Sequence, residues 1–369
     1  MHSSLEVIKR RVRELRAYSL RPDRAPVKLN QNENPWDTPY EIKEETLRRV
    51  ALRPWSRYAD FAPERLREKL AQHCSWIAEG IIAGNGSNEL IQALLMATIS
   101  DGKRVLISEP TFALYRQIAT ILGADVISVP PTPDLNYDAR SLVNTIQTQR
   151  PEITIICSPN NPTGCLISRP DLVSILKVSS GLVVIDEAYG EFAGDTVVPL
   201  LQRHSNLIVL RTFSKAMAMA GLRIGYLLAG PELAAEISKV VLPYNLNLVS
   251  QTAAEVALEM YNDKLKPVVE LIRRERERPF AELQTISGVT PLRSHANFIL
   301  VRSSLAHARV YQELLRRKLL IRDVSSYPLL QDCFRVSVGT PEENDLLISA
   351  LREIFGHTKR TGASKRHEC

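Results

Sequence analysis

The fold of this 369-residue chain is constrained most by a rhythm of short apolar segments between about residues 80 and 230. Six segments rich in Val, Ile and Leu alternate with stretches of helical character: RVLISEP, DVISVP, ITIICSPN, LVVIDEAY, LIVLRTFS and GYLLAG. Strands that alternate with helices form βαβ units, which build a largely parallel sheet covered by helices on both faces. Ligands of such sheets bind beyond the carboxyl ends of the strands. We therefore predict an α/β fold whose functional residues directly follow these segments.

The pattern changes after about residue 240, where long amphipathic helices precede the shorter strand candidates NFILVRS, LLIRDV and CFRVSVGT. This change predicts a second, smaller α+β unit. The first 35 residues contain a charged helix and then KLNQNENPW, which its Pro and Asn residues exclude from a helix interior. We predict that residues 1–35 pack with the small unit, 36–270 form the large unit, 271–356 form the small unit and 357–369 form a disordered basic tail.

The composition argues against several classes of function. No apolar segment approaches the ~20 residues of a membrane helix, and the N-terminus lacks a signal-peptide pattern, so we expect a cytoplasmic protein without a membrane partner. The five cysteines have no paired spacing, which favours reduced thiols and predicts no metal site. Half of the net charge of +6 lies in the C-terminal tail, and RRERER alternates in sign, so we expect no nucleic-acid partner.

Three successive strand candidates end in polar groups that suit one kind of chemistry. Asn161 follows ITIIC, and Asp186 ends LVVID with Tyr189 three residues later. Lys215 follows LIVL. An isolated Asp at a strand end is more often a turn cap than a functional residue. A buried lysine amine, in contrast, costs several kcal/mol of folding free energy unless it is paired or neutralised. The useful chemistry of such an amine is a Schiff base with a carbonyl compound.

Pyridoxal phosphate is a carbonyl cofactor, and the chain has candidates for its other needs. Asp186 suits the carboxylate beside the pyridine nitrogen, while Asn161 and Tyr189 suit the donors to the phenolic oxygen. Phe112 in SEPTFALY can cover one face of the ring. These residues predict a pyridoxal-phosphate site at the strand ends.

A phosphate cradle is also predicted. IIAGNGSNELIQALLMATI indicates a strand, a Gly-rich turn and a helix whose first N–H groups can bind an anion, although such a turn is equally typical of ordinary helix capping. Residues around the lysine add hydroxyls and a cation. The predicted phosphate-binding residues are Ser87, Asn88, Glu89, Thr212, Ser214 and Arg223. The Ala/Met run after Lys215 is predicted to be a core helix.

Taken in order, these stretches resemble the fold-type I pyridoxal-phosphate aminotransferases, and most closely the histidinol-phosphate aminotransferases. The resemblance runs from about Tyr18 to Thr340 and rests on LNQNENP, RYAD, GNGSNELI, EPTFALY, SPNNPTG, VVIDEAYGEF, RTFSKAMAMAGLRIGY and FRVSVGT. It implies a large domain with a mostly parallel seven-stranded sheet flanked by helices, plus a smaller α+β domain. It also implies a homodimer in which Tyr58 reaches the cofactor phosphate of the neighbouring subunit, although Ala59 replaces a common Pro.

The resemblance implies the same cofactor roles as the residues themselves. Lys215 corresponds to the Schiff-base lysine, and Asp186 to the partner of the pyridine nitrogen. Tyr189 and Asn161 correspond to the donors at the phenolic oxygen, and Phe112 stands where the family often has Tyr. Lys215, Asp186 and Tyr189 are thus the predicted catalytic residues.

For the substrate, the resemblance points to two arginines in the small unit. Arg322 and Arg335 would grip a phosphate dianion, which a pair of guanidinium groups suits. Tyr18 and Asn32 lie on the N-terminal segment that would close over the substrate, and Tyr58 would also contact it.

The implied reaction is transamination between histidinol phosphate and 2-oxoglutarate, which yields imidazole-acetol phosphate and glutamate. An aromatic-amino-acid aminotransferase would share nearly all of these residues and use Arg335 for a carboxylate. A threonine-phosphate decarboxylase also resembles the chain. A nucleotide-binding module that uses GNGSNE as its loop is disfavoured, because the third glycine and the acidic residue ~20 positions later are missing.

Overall fold

The computed structural model of the chain describes residues 4–15, 17 and 22–363. It contains twelve strands within these ranges: β1 (Val27–Leu29), β2 (Ile81–Gly84), β3 (Arg104–Ser108), β4 (Asp125–Val129), β5 (Ile153–Cys157), β6 (Leu182–Asp186), β7 (Leu207–Thr212), β8 (Gly225–Leu228), β9 (Val289–Pro291), β10 (Phe298–Ser303), β11 (Leu319–Asp323) and β12 (Cys333–Ser337).

Thirteen α-helices connect and cover these strands in the same part of the chain: α1 (Arg10–Glu14), α2 (Tyr40–Ala51), α3 (Glu64–Cys74), α4 (Ser87–Thr98), α5 (Leu114–Leu122), α6 (Ala139–Gln149), α7 (Arg169–Val178), α8 (Gly190–Ala193), α9 (Pro231–Ser238), α10 (Leu248–Glu259), α11 (Lys266–Gln284), α12 (His307–Arg316) and α13 (Pro341–Ala363). None of the helices in the described ranges is long and apolar enough to cross a membrane.

The large sheet has seven strands in the order β2-β8-β7-β6-β5-β3-β4. Only β8 runs against its neighbours, pairing antiparallel with β2 and β7. Successive residues of each inner strand are buried on opposite faces, as the period of two requires. In β6, Val183 and Ile185 pack under α2, α3, α6, α7 and α10, whereas Val184 packs under α4, α5 and α9. The predicted parallel α/β sheet with helices on both faces is therefore confirmed.

The small unit contains a five-stranded sheet in the order β1-β11-β12-β10-β9. Its strands β9 to β12 pair antiparallel, and β1 joins the edge parallel to β11. Residues 1–35 are predicted to pack with this unit, and β1 does so. However, α1 contacts the large unit, where the Arg11 guanidinium lies 2.7 Å from the Asp101 carboxylate. The N-terminal segment thus contacts both units.

Two other predicted boundaries differ from the structure. The division at residue 270 falls inside α11 (Lys266–Gln284). This helix packs with both units, since Val269 and Ile272 lie beside Tyr189 whereas Leu283 lies in the core of the small unit. Helix α13 extends to Ala363 and so enters the predicted tail, while residues 364–369 lie outside the described ranges.

The Ala/Met run after Lys215 does not form the predicted helix. Residues 213–219 form turns, followed by a single turn of 3₁₀ helix from Ala220 to Leu222. Ala218 has a φ of 56°, a left-handed conformation that interrupts an α-helix. Ala216 packs near Tyr189, whereas Met217 packs in the main core. The run is apolar because an irregular loop is buried on two sides.

Candidate active site

A cavity of about 420 Å³ lies at the carboxyl ends of β5, β6 and β7, between the two units. Thirteen of the sixteen predicted site residues line it: Asn32, Ser87, Asn88, Phe112, Asn161, Asp186, Tyr189, Thr212, Ser214, Lys215, Arg223, Arg322 and Arg335. The large sheet supplies most of them from successive strand ends, and β11 and β12 of the small sheet supply the last two. The cavity therefore lies where ligands of parallel sheets are expected to bind.

The carboxylate of Asp186 closes the floor of the cavity. Asp186 is the last residue of β6 and only 3% exposed. Tyr115 donates its hydroxyl to Oδ2 at 2.6 Å, and the N–H of Ala188 donates to Oδ1 at 2.9 Å. Burial raises the pKa of Asp186 to about 6, because desolvation outweighs these two hydrogen bonds. The acid is therefore ionised above about pH 6 and already oriented.

The amine of Lys215 lies above this floor. Its Nζ donates to the backbone carbonyl of Gln31 at 2.9 Å and lies 5.9 Å from the ring centre of Tyr189. Burial, with a further contribution from the positive charge of Arg335, lowers the pKa of Lys215 to about 8. A substantial fraction of neutral amine is therefore available near neutral pH, as a nucleophile or a base requires.

Tyr189, the residue directly before α8, also lines the cavity. The hydroxyl accepts a hydrogen bond from Asn32 Nδ2 at 3.0 Å, and the backbone N–H of Asn32 donates to Ser337 Oγ at 2.8 Å. Burial raises the pKa of Tyr189, so the phenol stays protonated and can donate. The small sheet thus supports Tyr189 through the N-terminal segment.

Two arginines of the small sheet face the cavity. Arg322 and Arg335 occupy paired positions of the antiparallel strands β11 and β12. Arg335 is buried, donates to Asn161 Oδ1 and to the carbonyl of Asn30, and packs 5.1 Å from the ring centre of Phe298. The strand pairing thus places two arginines side by side, and the contacts of Arg335 hold its guanidinium in place, an arrangement that favours a dianion.

A second anion-binding arrangement lies at the N-terminus of α4. No side chain caps this helix, so its first N–H groups remain available to a ligand. Gly86 precedes it with a φ of 79°, and a Cβ there would lie 2.6 Å from Nη2 of Arg223. Arg223 also donates to Ser214 Oγ at 3.0 Å, and Thr212 Oγ1 lies 3.0 Å from the same atom. Helix N–H groups, two hydroxyls and a guanidinium therefore surround one space.

Three predicted residues are not in the lining of this cavity. The carboxylate of Glu89 instead accepts from the backbone N–H of Asn85 at 2.5 Å and from the Asn245 amide at 2.8 Å, so it stabilises the Gly-rich turn. Tyr58 is 79% exposed and stacks on Tyr244, with ring centres 4.4 Å apart. Tyr18 lies outside the described residues.

Other residues in the lining were not predicted. Tyr115 is the second residue of α5 and lies three residues after Phe112, and both aromatic side chains line the cavity. Gln31 and Asn30 act through backbone carbonyls, which leave no side-chain signal in a sequence. Tyr327 lies in the loop between β11 and β12, and its position depends on how the small unit packs.

The chain belongs to the class I and II aminotransferases, because residues 24–351 match that family. Within the family it is similar to proteins named histidinol-phosphate aminotransferase. That of Chlorobium limicola is 40% identical over 334 residues, which is 89% of this chain and 93% of the relative. That of Thermoanaerobacter pseudethanolicus is 40% identical over 328 residues, again 89% of this chain and 93% of the relative. The resemblance drawn from the motifs is confirmed.

Solved structures agree with the fold. The histidinol-phosphate aminotransferase of Clostridium acetobutylicum superposes with a TM-score of 0.82 at 26% identity and covers 90% of this chain and 99% of its own. The histidinol-phosphate aminotransferase of Sinorhizobium meliloti, solved with pyridoxal 5'-phosphate, superposes with a TM-score of 0.85 at 24% identity. The match covers 95% of this chain and 98% of the Sinorhizobium chain. The predicted fold-type I architecture is therefore confirmed.

Proposed function

We propose that the chain uses pyridoxal 5'-phosphate to transfer an amino group between L-histidinol phosphate and 2-oxoglutarate, giving imidazole-acetol phosphate and L-glutamate. The observation that carries the proposal is the pair of anion-binding arrangements on opposite units of one cavity that also contains Lys215. One arrangement suits the cofactor phosphate and the other suits a phosphate on the substrate. The names of relatives 40% identical to this chain support the same substrate.

The residues present fit pyridoxal phosphate. Gly86 leaves open a space that any Cβ would close against Arg223, next to the uncapped N-terminus of α4. The residues that would hold the phosphate there are Ser87, Asn88, Thr212, Ser214 and Arg223, with the backbone of Glu89 in the same helical turn. The donors proposed for the phenolic oxygen are Asn161 and Tyr189, and Phe112 would cover one face of the ring.

When bound, the cofactor supplies an electron sink for the carbon atom that loses its proton. Lys215 would hold the cofactor covalently at rest and then carry the proton, because its lowered pKa leaves neutral amine available near neutral pH. Asp186 is ionised above about pH 6, so it can hold the ring nitrogen protonated. Tyr189 stays protonated, so it would donate a hydrogen bond to the phenolic oxygen of the cofactor.

The substrate phosphate is assigned to Arg322 and Arg335, whose strands pair at these positions. Arg335 is already held by Asn161 and the carbonyl of Asn30, so little side-chain entropy is lost on binding. Asn32 lines the cavity and remains a proposed substrate contact, in addition to its support of Tyr189.

Steady-state kinetics on three substrates test the proposal. With 2-oxoglutarate as acceptor, histidinol phosphate should give a kcat/KM at least 100-fold above that of phenylalanine, and threonine phosphate should release no CO₂. A preference for phenylalanine would instead identify an aromatic aminotransferase, and CO₂ release without an acceptor would identify a decarboxylase. The variant Lys215→Ala should lose both turnover and the visible absorption of bound cofactor, and retained turnover would refute the role of Lys215.

We also propose a homodimer in which Tyr58 reaches the cofactor phosphate of the partner subunit. Trp55, Tyr58 and Phe61 are each at least 65% exposed, and exposed aromatic clusters are typical of interfaces. The variants Lys215→Ala and Tyr58→Ala can be produced together with different tags and purified through both. Mixed dimers should regain activity that neither variant has alone, because one of their two sites is intact. Inactive mixed dimers would contradict a shared site.

A cytoplasmic location is proposed as well. Four cysteines in the described ranges are buried free thiols, which suits a reducing compartment. Cell fractionation followed by immunoblotting tests this, and recovery with an exported fraction would contradict it.

A further inference from the structure

Asp186 receives a hydrogen bond from a tyrosine that has no assigned role. The Tyr115 hydroxyl donates to Oδ2 at 2.6 Å, and Tyr115 is completely buried. Its donation to a carboxylate is a charge-assisted hydrogen bond, which is stronger than one between neutral groups. Oδ2 of Asp186 therefore takes its side-chain hydrogen bond in the described structure from Tyr115.

The position of Tyr115 links it to the cofactor site rather than to the general core. It is the second residue of α5, one turn after Phe112, and the two rings meet edge to face with centres 5.5 Å apart. Both residues line the cavity. The same loop thus offers a ring-covering side chain and a donor to the carboxylate at the cavity floor.

Two donors fix the plane of the carboxylate. Tyr115 binds Oδ2 and the N–H of Ala188 binds Oδ1, so rotation of the group would break at least one bond. Each carboxylate oxygen accepts about two hydrogen bonds, so capacity remains for a protonated nitrogen of a ligand. Without the hydroxyl, Oδ2 would lose its donor in a place where burial already disfavours charge.

We propose that Tyr115 is a positioning residue that orients the Asp186 carboxylate and keeps it ionised for the ring nitrogen of the cofactor. The inference rests on the proposed function. The other titratable groups around Asp186 come from neighbouring elements: Cys157 on β5, Tyr137 before α6, and Glu187 and Tyr189 beside Asp186 itself. Tyr115 donates a side-chain hydrogen bond to the carboxylate, whereas Tyr137 donates to the backbone carbonyl of Cys157 and the hydroxyl of Tyr189 accepts from Asn32.

The test compares Tyr115→Phe with a matched control, Tyr137→Phe. Tyr137 also donates its hydroxyl from a mostly buried position, but to the backbone carbonyl of Cys157 on the adjacent strand. Both variants lose one hydroxyl and keep the ring. A purely structural role of Tyr115 therefore predicts similar behaviour of the two proteins, with a lower Tm and little else.

We expect Tyr115→Phe to weaken pyridoxal phosphate binding by the cofactor-free protein about 10-fold, measured by quenching of protein fluorescence. The kcat should fall about 10- to 100-fold with less than a threefold change in KM, and the pH dependence of the visible absorption of the holoenzyme should move. Tyr137→Phe should change none of these values by more than about twofold. The two variants should therefore differ from each other in the cofactor-linked measurements and not in Tm.

A cofactor analogue isolates the ring nitrogen. In 1-deazapyridoxal phosphate a C–H replaces that nitrogen, so Asp186 has no protonated partner to hold. Wild type and Tyr115→Phe should bind this analogue with affinities within about twofold of each other. An equal loss of affinity for the analogue and for pyridoxal phosphate would overturn the inference, as would a Tyr115→Phe variant indistinguishable from wild type. If wild type itself binds no pyridoxal phosphate, the proposed function fails first and the inference with it.

Discussion

The acidity of the Lys215 amine gives a quantitative test of the site. Burial in the cavity is the main reason that its pKa falls from 10.5 to about 8, and Arg335 acts in the same direction. At pH 7 the neutral fraction is then roughly 10%, about 300 times that of an ordinary lysine. We therefore expect the amine of the cofactor-free protein to react with electrophiles along a curve centred near pH 8.

Competitive labelling with a trace of acetic anhydride, followed by peptide mass spectrometry, measures this curve between about pH 6 and pH 11. The exposed Lys177 in the same sample serves as the internal reference for the reactivity of the reagent at each pH. The structure also predicts the direction in which one substitution shifts the pKa of Lys215. Glu33 lines the cavity and raises the pKa of Lys215, so Glu33→Gln should move the midpoint to lower pH while preserving the size of the side chain.

Two results would refute this reasoning. A midpoint at about pH 10 or higher would mean that the Lys215 amine is solvated as on a free surface, so burial could not prepare it for catalysis. A midpoint that rises in Glu33→Gln would mean that the charge of Glu33 does not act on the amine in the direction inferred from the structure.

Three further outcomes are expected. Arg322→Gln should lower kcat/KM for histidinol phosphate about 10- to 100-fold and change that for unphosphorylated histidinol by less than about threefold, and equal losses for both substrates would remove Arg322 from the phosphate site. Gly86→Ala should weaken pyridoxal phosphate binding at least about 10-fold in a fluorescence titration, because its Cβ would lie 2.6 Å from Arg223 and its φ is 79°, and unchanged affinity would contradict the cradle. Asp186→Asn should abolish turnover yet stabilise the cofactor-free protein: the folded pKa is raised from 3.8 to about 6, so the contribution of the carboxyl to stability is present below about pH 4 and lost as the pH rises through 6. Urea unfolding should show the advantage of Asp186→Asn growing by about 2 kcal/mol between pH 4 and pH 8, and an advantage independent of pH would contradict the raised pKa.

The strands of the large sheet were predictable because their burial leaves a strong signal. Segments such as Ile153–Cys157 and Leu207–Thr212 are covered by helices on both faces, so most positions select apolar residues and the run stands out. Residues that act through side chains at strand ends, such as Asp186 and Lys215, follow from that pattern directly. Their convergence on one cavity is a property of the parallel arrangement.

Other parts of the site depend on information that the local sequence does not contain. The Ala/Met run has helical composition, but tertiary packing on two sides and the left-handed Ala218 override that preference. Gln31 contributes a backbone carbonyl, which any residue would offer. Glu89 is predicted at the cradle through its backbone N–H, whereas its carboxylate binds Asn85 and Asn245, the latter 156 residues away. Such partners become visible only in three dimensions.

The stretch from residue 30 to residue 32 has a practical consequence for redesign of the enzyme. Its carbonyl oxygens accept hydrogen bonds from Arg335 and from Lys215, and the side-chain amide of Asn32 donates to Tyr189. Two of these three links come from main-chain atoms, so point substitutions leave the connections in place. Attempts to alter which amines the enzyme accepts should therefore exchange or lengthen this tripeptide as a block, since a changed backbone path would shift all three partners together.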